Sequence, residues 1–481
     1  MQNYLSKIEL SKDLVMTIFI VSFVGLFAVA NYFFGFNLAL YVITMGIGAV
    51  IALLYPHAGL YAIITLTFIF ERFFTLVPIA LGRSEYKLYP IDVLFGALLL
   101  GIVFQLAIGT LKLKFRKLDL LLTIFAILAV IYFFVSAFVL KGDLSLAFST
   151  AKNYAFYSLF YFAAFLLINN KNRFKELLSV IFVSAVGILW FVFYGIAVRH
   201  GLWSDFTPLS TEGFRTLAFT HGYYLCMALI ASLVYIAYRS DLYAKWLIIL
   251  MPFWILGIIG SMMRHLWISI FLAIAFLIVM FAQGARQRLE QHAKNYTVIA
   301  LAFLIIIFYC ATLFPRSAAY ESINGALGML GNRVTSIAST SSDESIVWRS
   351  AVWQQSLKLY AHDPIFGIGF GEKVSVEIGK YRDFVEVRNI HNSFLVILVQ
   401  MGILGMTLVA TLAAILGWKV LKNKFEDENL QMAAYISLGI LVFHLSAFMF
   451  QPYLEANLLG IFFWMNLGIL RRLYESNMRH Q

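Results

Sequence analysis

Three arginines, Arg215, Arg264 and Arg349, and one histidine, His391, are the side chains of this sequence best suited to chemistry. Arg215, Arg264 and His391 stand at or near the ends of apolar runs, and Arg349 lies in a long connection between two of them. The topology read below puts all four on one side of a bilayer. Charge is costly beside hydrocarbon, so cations gathered at such a face call for an anionic partner. Arginine stays charged and can hold an oxyanion through two parallel N–H donors. Histidine, with a reference pKa of about 6.5, can accept a proton at neutral pH.

The elements that must position these residues are membrane helices. The chain has 481 residues, 62% hydrophobic and only 13% charged, where soluble domains carry about 25% charge. Continuous apolar runs of bilayer length recur from end to end. They lack the alternation of β-barrel strands. The fold class expected is an all-α integral membrane protein with about 12–14 transmembrane helices. The spans read near 14–36, 38–55, 58–81, 91–110, 119–140, 154–169, 176–198, 218–238, 245–262, 265–283, 297–314, 392–417, 432–450 and 456–470. Glu71 and Arg72 interrupt the third. The first run is too long for a removed signal peptide and lacks a small-residue cleavage site.

Loop charge sets the orientation. One set of loops carries Lys112, Lys114, Arg116 and Lys117, then Lys171, Arg173 and Lys175. The same set continues with Arg286, Arg288 and Lys294, with Lys419, Lys422 and Lys424, and with Arg471 and Arg472. The opposite loops are short and nearly uncharged, so both termini are expected in the cytoplasm. The net charge of +11 is then largely topogenic and suits anionic membrane lipids, with no call for nucleic acid. Cys226 and Cys310 both fall inside expected spans, and neither reads as half of a disulfide.

Two outer loops stand out, at about 199–217 and 315–391. The chain is expected to be one polytopic membrane domain over 1–481, with 315–391 as a large extracytoplasmic loop carrying short amphipathic helices. Long ordered loops tend to be functional. Ser342 and Asp343 suit the cap of a helix with apolar positions at Ile346, Trp353, Leu357 and Tyr360. His362, Asp363 and Pro364 would end it. Arg349 and Trp353 then stand one turn apart. The run Gly367-Ile368-Gly369-Phe370-Gly371 follows a helix rather than a strand, so it is not a dinucleotide fingerprint. Its glycines would let backbone approach a ligand or the membrane.

These segments resemble a known family. WRSAVWQQSLKLYAHDPIFGIGFG at 348–371 and HNSFLVILVQMGILG at 391–405, with its Gly402 and Gly405 pair, look like the core of bacterial O-antigen ligases and O-antigen polymerases. FRTLAFTHGYYLCMAL at 214–229 resembles the family's loop-and-helix element with a leading arginine. SMMRHLW at 261–267 resembles a second arginine element, where the family more often reads Ser-Arg. The resemblance implies a GT-C type architecture in the bacterial cytoplasmic (inner) membrane, with the active site on the extracytoplasmic face. It implies an undecaprenyl-diphosphate-linked oligosaccharide or polysaccharide donor and a glycan, lipid-core or protein acceptor. It further implies inverting transfer with no nucleotide sugar, no cofactor and, in the ligases, no metal.

On that reading Arg215, Arg264 and Arg349 bind the diphosphate whose negative charge grows as the sugar leaves. His391 is the candidate base for the acceptor hydroxyl, with Asn392 as an orienting neighbour. Glu212, three residues before Arg215, is placed to orient that arginine, and Gly367, Gly369 and Gly371 support the site. Each choice has a plain competitor, since an arginine at a span end is often a snorkelling anchor. His221, His265 and His444 read as structural. Glu212, Asp343, Glu344, Glu372, Asp383 and Glu386 form no recognisable oxygen-ligand pattern for a cation. A transporter or flippase of lipid-linked oligosaccharide is the alternative, although no half-to-half repeat is visible.

Overall fold

A computed structural model describes residues 11–76, 79–81, 84–198, 200–203, 205, 215–294, 328, 331, 344–378, 381–423, 425–455 and 458–477. These residues gather into two units. Unit 1 takes 1–188, 352–441 and 448–481, and unit 2 takes 189–351 and 442–447.

Unit 1 opens with α1 (Lys12–Phe34), α2 (Leu38–Leu54) and α3 (Pro56–Leu76). Ser11 caps α1 by accepting the Leu14 N–H at 3.4 Å. Gly35, at φ 82°, ends that helix in a backbone conformation suited to glycine. A short hairpin of β1 (Ile79–Leu81) and β2 (Ser84–Leu88) leads into α4 (Pro90–Ala107). Helix α5 (Lys117–Phe134) runs on as a π-helical turn to Val139. After α6 (Leu144–Ala151) come a π turn (Lys152–Phe156), a 3-10 turn (Tyr157–Leu159) and α7 (Phe160–Leu167). Helix α8 (Lys171–Val198) enters unit 2, which holds α9 (Phe219–Tyr238), α10 (Leu242–Gly260) and α11 (Arg264–Met280). The chain returns to unit 1 along α12 (Glu344–His362). A hairpin of β3 (Lys373–Ile378) and β4 (Tyr381–Glu386) follows, then α13 (Ser393–Lys422), α14 (Glu428–Phe448) and α15 (Gly460–Asn477).

Nine of the described helices are long and apolar enough to cross a membrane, and α2 and α11 are shorter apolar helices. The chain is an all-α polytopic membrane protein. Its outward apolar side chains, such as Phe138, Trp190 and Val279, would be an aggregation hazard in water and are the expected surface in lipid. The inner packing is aromatic. Phe95 stacks on Phe160 at 3.6 Å, and Phe68 and Phe125 meet Phe462 and Trp464 edge-on or tilted.

Two sequence expectations change, and a third is refined. The run at 58–81 is not one span, since α3 ends at Leu76 and Ile79–Leu81 pair with β2, in register Ile79 with Leu88. The run at 154–169 is not a plain helix. Lys152 turns to Asp92 while Asn153 and Tyr154 both reach Glu455, and the wide π turn carries all three. The stretch after the glycine run, read only as part of the 315–391 loop, is a β-hairpin. Val374 and Val376 point inward in a period of two while Lys373, Ser375 and Glu377 alternate with them. The expected span at 297–314, Cys310 and the capping pair Ser342 and Asp343 lie outside the described residues.

Candidate functional site

In unit 2 the structure brings Arg215 and the Arg264 turn to one corner. Arg215 lies just ahead of α9 and is buried. The next residue, Thr216, donates its N–H to the carbonyl oxygen of Gly260 at 3.0 Å. Gly260 ends α10, four residues before Arg264 opens α11. No side chain fits where Thr216 sits. A methyl on Gly260 would stand 2.0 Å from Thr216 Oγ1, and one on Gly195 would stand 2.7 Å from its carbonyl oxygen. The turn itself is tight, with Met262 at φ 55°, a conformation that costs a non-glycine residue about 1–2 kcal/mol. The three histidines read as structural are all buried in unit 2. His221 stacks on Phe191 at 4.7 Å, and His444 stacks on Tyr223 at 5.6 Å.

Arg349 lies half-buried on α12, one helical turn before Trp353. Trp353 donates its indole N–H to the carbonyl oxygen of Ile390 at 2.8 Å. His391 follows directly, at φ 58°. A positive φ at a non-glycine residue is uncommon and persists only where its surroundings hold it. The hold on the far side is the start of α13. Asn392 caps that helix, its Oδ1 accepting the Leu395 N–H at 3.1 Å. Asn392, expected as an orienting neighbour of His391, thus also caps the helix that follows it.

Ser393 then donates to Glu455 Oε2 at 2.6 Å and accepts the Leu454 N–H at 3.1 Å. The other Glu455 oxygen accepts the Tyr154 hydroxyl at 2.6 Å, and the Glu455 carbonyl accepts Asn153 Nδ2. Glu455 is buried between α14 and α15, and burial pushes its carboxyl up to about 8. Sequence reasoning missed this residue. The signal was present, since Glu455 is the only carboxylate between Glu428 and Glu475.

A second polar cluster surrounds the π turn. Lys152 Nζ lies 2.7 Å from Asp92 Oδ2 and over the Tyr89 ring, while Tyr157 donates to Asp92 Oδ1 at 2.6 Å. Arg388 binds Glu386 through Nε and Ser149 through a terminal nitrogen, both at 2.8 Å.

The glycine run proves to serve the protein's own backbone. Gly402 breaks α13 at φ 64° and ψ −167°. Ile368 and Gly369 donate to the carbonyls of Val399 and Gln400 at 2.9 and 3.1 Å. Ile403 and Leu404 donate in turn to Pro364 and Ile365 at 2.9 and 3.3 Å. Backbone freed by a break at membrane depth must be paired within the protein, and this loop does so. Added methyls would clash with Gln400 at Gly367, Ser136 at Gly369 and Asp143 at Gly371. The close approach that Gly367, Gly369 and Gly371 allow is to the protein's own atoms. Glu212 lies outside the described residues.

Residues 246–410 match the family model described as O-antigen ligase. The matched segment holds Arg264, Arg349, His391, the glycine run and the α13 break, whereas Arg215 precedes it. The fold is that of a multi-pass membrane protein, and the match to O-antigen ligase supports a role in glycan transfer. That segment is similar to O-antigen ligases. No curated protein matches the chain.

Proposed function

We propose that the protein is an inverting, metal-independent glycosyltransferase of GT-C type. It moves a glycan from an undecaprenyl-diphosphate carrier to an acceptor hydroxyl on the outer face of a bacterial cytoplasmic membrane, with both termini inside. The observation that carries this reading is the presence of Arg264, Arg349 and His391 together in the segment matched to O-antigen ligase.

In the proposed step the acceptor oxygen bonds to the anomeric carbon as the bond from that carbon to the diphosphate oxygen breaks. The bonding electron pair leaves with the diphosphate. Arg215, Arg264 and Arg349 bind the growing negative charge through charge-assisted hydrogen bonds. Fixed cations at a low-dielectric boundary can contribute several kcal/mol to such a step. The acceptor proton passes to the His391 imidazole, whose reference pKa of about 6.5 suits that task. Attack from the face opposite the leaving group inverts the anomeric centre.

The acceptor separates ligase from polymerase. Purified protein in chelator would be given a polyprenyl-diphosphate oligosaccharide, first alone and then with a lipid-core acceptor. A ladder of lengthening chains from donor alone means polymerase. Transfer only after the lipid core is added means ligase. No transfer in either case, with metal restored, contradicts the proposal and returns the transporter reading.

A further inference from the structure

At the end of unit 1 opposite His391, a cavity of about 690 Å³ opens between the start of α5 and the end of α15. It is lined by Phe115, Arg116, Lys117, Leu118, Leu120 and Tyr474. Lys419, near the end of α13, lies over the Tyr474 ring at 5.9 Å. The start of α5 and the end of α13 therefore bring cations to one opening. The floor behind it is an ion-pair network already matched. Arg471 pairs with Asp119 at 3.1 Å, and Glu475 is shared by Arg116 at 3.9 Å and Arg472 at 3.6 Å. Among the described residues no carboxylate lies within ion-pair reach of Lys117 or Lys419.

The walls are of the other kind. Phe115 and Leu120 are about half exposed beside the cations, at the ends of helices built to cross a bilayer. A free phosphate or a nucleotide would leave those apolar walls in contact with water. An acidic protein surface would satisfy the cations but not the apolar walls. Exposed cations beside exposed apolar side chains match a headgroup phosphate with its acyl chains.

The geometry points to a binding site for an anionic glycerophospholipid of the surrounding leaflet. Its phosphate would lie at Lys117 and Lys419, and its chains along Phe115 and Leu120. Topogenic charge explains why this side is basic, but it gives no reason for a lysine of α13 to lie over an aromatic ring of α15. Basic pockets between membrane helices are recurrent headgroup sites.

The test uses the full chain in mild detergent, with lipid retention read by native mass spectrometry. Phosphatidylglycerol should be retained about tenfold better than phosphatidylcholine at equal concentration. Lys117→Gln with Lys419→Gln should bring the two lipids to within about twofold. Lys358→Gln, an exposed lysine on α12, should leave the preference intact. Equal retention of both lipids by the wild type would overturn the site. So would a preference that survives the double variant, or one that Lys358→Gln removes equally.

Discussion

The indole of Trp353 holds the carbonyl of Ile390 at 2.8 Å, one residue before His391 and one turn after Arg349. A single hydrogen bond thus ties the helix that carries Arg349 to the strained residue that opens the next membrane helix. Trp353→Phe keeps the ring and removes the N–H, leaving the Ile390 carbonyl unsatisfied at a cost of about 1–3 kcal/mol. Turnover should fall about tenfold while donor binding is unchanged, as read by kcat and KM on inserted protein.

The α13 break gives a stability prediction. A methyl at Gly402 would stand 2.1 Å from the Ile365 carbonyl oxygen and would also disfavour φ 64°. Gly402→Ala should cost about 3 kcal/mol or more from strain and overpacking together. Gly46, inside α2, has nothing within 4 Å of an added methyl. Gly46→Ala should be neutral or stabilising by up to about 1 kcal/mol. Thermal denaturation of both variants in one detergent measures the contrast.

The buried acid gives a pH prediction. The Glu455 carboxyl is raised from 4.5 to about 8 by burial. Between those values the unfolded carboxyl has lost its proton while the native one keeps it. The native state binds more protons there, so its stability falls as pH rises through this window. Glu455→Gln, which stays neutral and retains hydrogen-bonding groups for Ser393 and Tyr154, should flatten that part of the stability profile. A slope unchanged in the variant would assign it to other groups.

The Arg215 corner predicts a compensation. Gly260→Ala puts a methyl into Thr216 and should weaken donor binding by about tenfold, the effect of shifting two charge-assisted contacts. Adding Thr216→Ala removes the blocking side chain and should restore much of that loss, a coupling that a double-mutant cycle reads directly.

The sequence was most legible where physics is local. Apolar run length gave nearly every described membrane helix, and His362-Asp363-Pro364 gave the end of α12 at His362. Arg264 in a tight turn was also readable, and the structure adds the strained Met262 beside it. What stayed hidden depends on pairing between distant segments. The glycine run looked like room for a ligand because its partner, the break at Gly402, lies more than thirty residues away. Glu455 went unread because its partners Tyr154 and Ser393 come from elsewhere in the chain. The hairpin at 373–386 was overlooked although its period of two was present in Val374 and Val376.

The most direct test of the central claim is single-turnover transfer by His391→Ala, with donor binding measured on the same preparation. Donor binding should stay close to wild type, since the arginines remain. The rate should be lower by about 10²–10⁴-fold, the usual contribution of a positioned general base. Near-wild-type transfer by His391→Ala would contradict that claim.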